Sequence, residues 1–124
     1  MNYDVFNGDA DGIIALLQLR LAEPKESVLI TGVKRDNALL KQVDVEVASS
    51  VVTLDISMEK NTQALTAILD SGVAVFYCDH HRTGEIPVSD KLTTLIDTSP
   101  EICTSLLINN KLEGQFIEWA ITAA

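Results

Sequence analysis

The feature that most restricts the fold is an alternation of short, β-branched apolar runs with segments of helical period. The runs are YDVF at 3–6, SVLITGV at 27–33, SVVTLDI at 50–56, VAVFYCD at 73–79 and LTTLID at 92–97, each bounded as a strand. Between the first two, Ile13, Ile14, Leu16, Leu17, Leu19 and Leu21 fit a largely buried helix that stops before Pro24. Asp36 or Asn37 is placed to cap a short helix through Leu39, Leu40 and Val43. Met58, Ala64, Leu65, Ile68 and Leu69 predict a helix over 58–70 with Gly72 as its stop. A helix from about Ile102 to Asn110 and the start of another at Phe116 complete the pattern. Strands apolar on both faces and separated by helices belong in a parallel sheet covered on both sides. The expected class is α/β, a Rossmann-like three-layer sandwich with a mainly parallel sheet of about five strands.

At 124 residues and 47% hydrophobic content, the chain is expected to be a single domain, residues 1–124, with a core of its own. No apolar window approaches a membrane span, and the N-terminus lacks the basic and apolar regions of a secretory signal. A cytoplasmic, non-membrane protein is expected. Cys78 and Cys103 read as small buried hydrophobes, and Cys78 points to the opposite strand face from Tyr77 and Asp79. A net charge of −9 disfavours long nucleic acid as a partner. Carboxylates that recruit divalent cations would reverse that sign locally, so a short phosphate-bearing substrate stays open. The apolar ending FIEWAITAA has no helix stop, which suggests the front part of a longer protein.

The acidic residues fall at strand ends. Asp9 and Asp11 follow the first strand, Asp55 lies near the end of the third, and Asp79 closes the fourth with His80 and His81 beyond it. Asp97 ends the fifth. Open parallel sheets bind ligands outside the carboxyl ends of their strands, so three strands deliver Asp or His to one edge. Carboxylate oxygens with an imidazole and no thiolate suit Mn²⁺, Mg²⁺ or Fe²⁺. Asp9 and Asp11 are spaced to meet different ions with Asp55 shared between them, the arrangement that activates water in phosphoester hydrolysis.

Each residue also has a plainer use. NGDADG resembles a calcium loop, but its twelfth place is Gln18 where such a loop needs Glu, and a strand precedes it. The same residues form ordinary turns, Asp55 and Asp97 suit helix caps or turns, and a histidine pair suits an exposed loop. No glycine-rich phosphate-loop spacing is present. A receiver domain would also place acids as Asp9, Asp11 and Asp55 stand. It would then want Thr or Ser and Lys where this chain has Asp79-His80-His81 and Asp97.

NGDADGI, TLDIS and YCDHH occur in the order and approximate spacing of the first three motifs of the DHH phosphoesterase superfamily, which the chain resembles over nearly its whole length. That group includes single-strand exonucleases, short-oligonucleotide phosphodiesterases, cyclic-dinucleotide hydrolases and manganese-dependent pyrophosphatases. The resemblance implies a hydrolase in which Asp9, Asp11, Asp55 and His80 hold divalent metal, two Mn²⁺ by preference with Mg²⁺ or another cation possible. It implies His81 facing the phosphoryl group, Asp79 as a near-ligand or an orienter of the histidines, and Arg82 as a further phosphate contact. The implied substrate is a short oligonucleotide, a cyclic dinucleotide or another small phosphorylated molecule, and a homodimer is possible. Two departures stand out. Many members carry a histidine where this chain has Val5, leaving Asn7 as a possible substitute, and a fourth aspartate motif does not appear before Ala124. A pyrophosphatase, or a degenerate module that binds a nucleotide or partner without catalysis, are the rival readings.

Overall fold

The computed structural model describes residues 1–32 and 38–119. Five strands, β1 (Asn2–Asn7), β2 (Val28–Gly32), β3 (Ser50–Leu54), β4 (Ala74–Asp79) and β5 (Leu92–Ile96), form one sheet in the order β2-β1-β3-β4-β5. Every pairing is parallel. Three helices, α1 (Ala10–Ala22), α2 (Thr62–Asp70) and α3 (Thr104–Lys111), and a 3₁₀ turn at Leu39–Gln42 cover it.

The two-residue side-chain period divides the core into two layers. Tyr3, Val5, Val51, Val75 and Tyr77 pack with Leu39, Leu40, Leu65 and Ile68 on the α2 side. Phe6, Leu54 and Cys78 pack with Ala15, Leu16, Leu19, Leu107 and Ile108 under α1 and α3. The expected three-layer α/β fold is what the chain adopts. Coverage is thinner at the sheet's edge, where Val28 and Leu29 of β2 are 36% and 59% exposed. Cys78 is fully buried as expected, whereas Cys103 is only half-buried because it stands outside α3 as its N-cap.

Helix starts are where pattern and structure part. α1 begins at Ala10, three residues ahead of its apolar stripe, because Asp9 caps it by accepting from the Gly12 N–H at 3.1 Å. Gly12 makes the tight return possible: a Cβ there would lie 2.1 Å from the Asn7 carbonyl oxygen. α2 begins at Thr62 rather than 58, although Met58 is still wholly buried. The cause is Asn61, whose side chain donates to Ser57 O at 2.8 Å and accepts from Leu40 N at 3.3 Å, binding the 57–61 turn to the 3₁₀ turn. Gly72 does end α2, at φ +81°. The proposed caps Asp36 and Asn37 lie outside the described residues, and residues 117–119 are helical as expected beyond Phe116.

Register places the site. Phe6, Leu54, Cys78 and Leu95 lie side by side across β1, β3, β4 and β5. Residues one step beyond them therefore share the carboxyl edge of the sheet, next to the β1–β3 position where the strand order reverses.

Candidate metal centre

Asp55 is the first residue past β3. Its N–H still bonds Cys78 O at 3.0 Å, but its backbone turns to φ +62°, left-handed for a residue that is not glycine. Such a conformation costs on the order of 1 kcal/mol and is common where a site needs a side chain aimed out of a strand's line. The Asp55 side chain is almost fully buried and its Oδ1 lies 3.1 Å from His80 Nε2. Asp11 Oδ2, from the first turn of α1, approaches the same nitrogen at 3.5 Å.

Asp79, the last residue of β4, is wholly buried. Its Oδ1 lies 2.6 Å from His81 Nδ1, and its Oδ2 has no hydrogen-bond partner among the described residues. Asp55, Asp79, His80 and His81 can each bring one ligand atom within 4.8 Å of the others. The two imidazoles face each other at 4.3 Å between ring centres, tilted by 35°.

Two residues that the sequence reading did not single out complete the frame. α3 points its N-terminus at Asp11: Thr104 N donates to Oδ2 at 3.1 Å and Ser105 N to Oδ1 at 2.7 Å. The Ser105 hydroxyl donates to the Asp11 carbonyl at 2.8 Å, and the Thr104 hydroxyl to Asp55 Oδ1 at 3.1 Å. A helix start is a natural seat for a carboxylate, since its first N–H groups lack partners within the helix. The Thr-Ser pair opening an apolar helical run was the available signal, but nothing local says which carboxylate it serves.

Electrostatics single out Asp55. Burial, then the charges of Asp11, Asp9 and Asp79, push its carboxyl up to about 9, with the Thr104 hydroxyl opposing. A cation among these oxygens removes that penalty, and it also gives the unpartnered Asp79 oxygen a reason to be there. The donor set of oxygens and imidazole nitrogens fits a hard or borderline divalent ion. Cys78, whose thiol burial pushes well up, is no competitor as a ligand.

The remaining candidates stand apart. Asp9 is exposed and its carboxylate is turned to the α1 N-terminus, although its charge still reaches Asp55. Asn7 uses its side-chain oxygen to accept from Asp9 N at 3.4 Å. Val5 is buried in the core. Arg82 is exposed and in no ion pair among the described residues. Asp97 forms a turn, accepting from Ser99 N at 2.9 Å, as its plainer reading expected.

No family model and no curated protein matches the chain. Solved structures do. The crystal structure of exonuclease RecJ bound to manganese is similar at a TM-score of 0.55 and 20% identity, over 98% of this chain and 36% of that one. RecJ from Thermus thermophilus, in complex with Mn²⁺, is similar at 0.56 and 18% identity, over 98% of this chain and 20% of that one. The three motifs thus stand on a fold that the chain shares with these two proteins. The chain spans about a third and a fifth of those two proteins.

Proposed function

We propose that the chain is a DHH-type catalytic domain and that its cluster hydrolyses a phosphodiester or phosphoanhydride with divalent metal, Mn²⁺ by preference. One observation carries the reading: β1–α1, β3 and β4 send Asp11, Asp55, Asp79, His80 and His81 to one point, and His80 Nε2 stands 3.1 Å from Asp55 and 3.5 Å from Asp11. The manganese in both RecJ structures supports the choice of ion.

Asp11, Asp55 and His80 would hold the ion, with Asp9 recruited to a second if its side chain leaves the α1 cap. Bound metal supplies positive charge that activates water and draws in phosphate oxygens. The rest falls to the chain. Asp79 orients His81 through Nδ1, and His81 as the imidazolium, protonated on both nitrogens, would donate from Nε2 to a leaving or non-bridging phosphate oxygen and become neutral. Arg82 adds a charge at the rim, and α3 keeps Asp11 aimed through Thr104 and Ser105. The acidic surface favours a small phosphorylated substrate or short oligonucleotide over long nucleic acid.

The test is hydrolysis of a linear dinucleotide, bis-p-nitrophenyl phosphate and pyrophosphate with Mn²⁺. The reading expects diester turnover that His81→Ala lowers by about 10²–10⁴-fold with metal stoichiometry intact. Metal-loaded wild type that turns over none of the three sinks it. A second reading, a module that binds without catalysis, draws on Asp9 being committed to the helix cap. One bound ion or none, with no turnover, would favour it.

A further inference from the structure

The pole of the sheet opposite the metal centre has a different character. A cavity of about 310 Å³ opens there under α1 and α3, where β3, β4 and β5 begin and both helices end. Among the described residues, its wall contains four basic side chains, Arg20, Lys25, Lys91 and Lys111, and one acidic side chain, Glu23, in a chain that has 9 lysines and arginines and 18 acidic residues. Chance placement on a protein of net charge −9 would give the reverse balance.

Arg20 is committed, since its guanidinium forks onto buried Asp4 with Nε–Oδ2 at 2.8 Å. Lys25, Lys91 and Lys111 are exposed and in no ion pair among the described residues. The Lys111 ammonium lies 5.3 Å from the centre of the half-buried Phe76 ring, held against the cavity floor. Thr93 and the half-buried Val52 complete a floor that is partly apolar. Three lysines lining a small concave site, with one carboxylate opposing them among the described residues, make a wall suited to a compact anion of more than one charge.

We propose that this cavity binds a small polyphosphorylated ligand, separately from the metal centre. β3 spans the two sites, and five residues of strand put them roughly 16 Å apart. The volume admits a phosphate chain with a modest organic body, and Phe76 and Val52 offer that body an apolar seat.

The probe is inorganic tripolyphosphate added to metal-free protein, followed by calorimetry and by amide shifts in ¹H–¹⁵N spectra. Without metal the carboxylate pole repels the probe, so binding there does not mask the cavity. The expected result is saturable binding with the largest shifts at Lys91, Thr93 and Lys111. Lys91→Glu combined with Lys111→Glu should weaken it at least tenfold, and higher salt should weaken it too. The double variant should keep a cooperative melting transition and the wild-type manganese affinity, which shows that it folds. Failure to bind, shifts centred on Asp55 and His80, or a well-folded double variant that binds as tightly as wild type would each overturn the proposal.

Discussion

Gly12→Ala is the substitution for which helix chemistry and the structure predict opposite signs. Gly12 sits in the first turn of α1, and alanine in place of glycine inside a helix ordinarily stabilises by about 1 kcal/mol. Here the new methyl would lie 2.1 Å from Asn7 O and 2.9 Å from both Asn7 N and Asn7 C, all of them backbone atoms. Relief requires the end of β1 and the start of α1 to separate by about an ångström, and overpacking against a fixed partner costs about 1–3 kcal/mol. The strain should exceed the propensity gain, for a net loss of about 1 kcal/mol and a fall in melting temperature of roughly 3–5 °C for a chain of this size. Asp9 and Asp11 stand just ahead of Gly12 in the same turn, so manganese affinity should drop with stability. Urea unfolding followed by circular dichroism measures the first effect and calorimetry the second. Gly72→Ala is the comparison: it meets no atom within 4 Å but has φ +81°, so it should cost about 1 kcal/mol and leave metal binding alone. A Gly12→Ala protein as stable as wild type would refute the close packing of β1 on α1 from which the site is built.

The raised Asp55 carboxyl, at about 9 against the usual 3.8, means the folded, metal-free protein holds a proton that the unfolded chain releases. Its stability should fall as pH rises from about 4 towards 9, the slope should vanish in Asp55→Asn, and Mn²⁺ should flatten it by binding the deprotonated form; melting curves across pH with chelator or metal check this, and a slope shared by Asp55→Asn would count against it. Thr104→Val removes the hydroxyl that bonds Asp55 Oδ1 and should cost about 1 kcal/mol in the metal-free protein. It should also weaken manganese binding at neutral pH more than at pH 9, read by calorimetry at both values. Arg20→Met leaves the buried Asp4 carboxylate with the Ser27 hydroxyl, 2.6 Å away, but no counter-charge, and should cost about 3–5 kcal/mol in urea unfolding, whereas a cost under 1 kcal/mol would mean Asp4 finds water.

Much of this was legible in the sequence because it depends on local patterns. Short, bounded, β-branched apolar runs marked the five strands to within a residue or two, and strand ends announced where Asp55, Asp79 and the histidines would gather. Helix starts were less legible, since α1 is launched by Asp9 and Gly12, polar residues ahead of the apolar stripe, and α2 is delayed by long-range bonds from Asn61. The least legible part was the support of the site. Thr104 and Ser105 act on Asp11 across 93 and 94 residues of chain, a relation that only tertiary packing creates. Similarly, the positive cavity collects Lys25, Lys91 and Lys111 from distant segments, and no spacing along the chain hints at it. Asp9 stands in NGDADG where the resemblance implies a ligand, and spacing alone did not reveal that its carboxylate also caps α1 in the folded chain.

The central claim is that the carboxyl edge of this sheet is a metal centre, and manganese titration by calorimetry tests it most directly. Wild type, Asp55→Asn and His80→Ala should be compared at pH 7.5, each shown to be folded by circular dichroism. The account predicts saturable binding of one to two ions by wild type with protons released as Asp55 gives up its own, and loss of the tightest site in both variants. Wild type that binds no Mn²⁺, or variants that bind it as wild type does, would contradict the account.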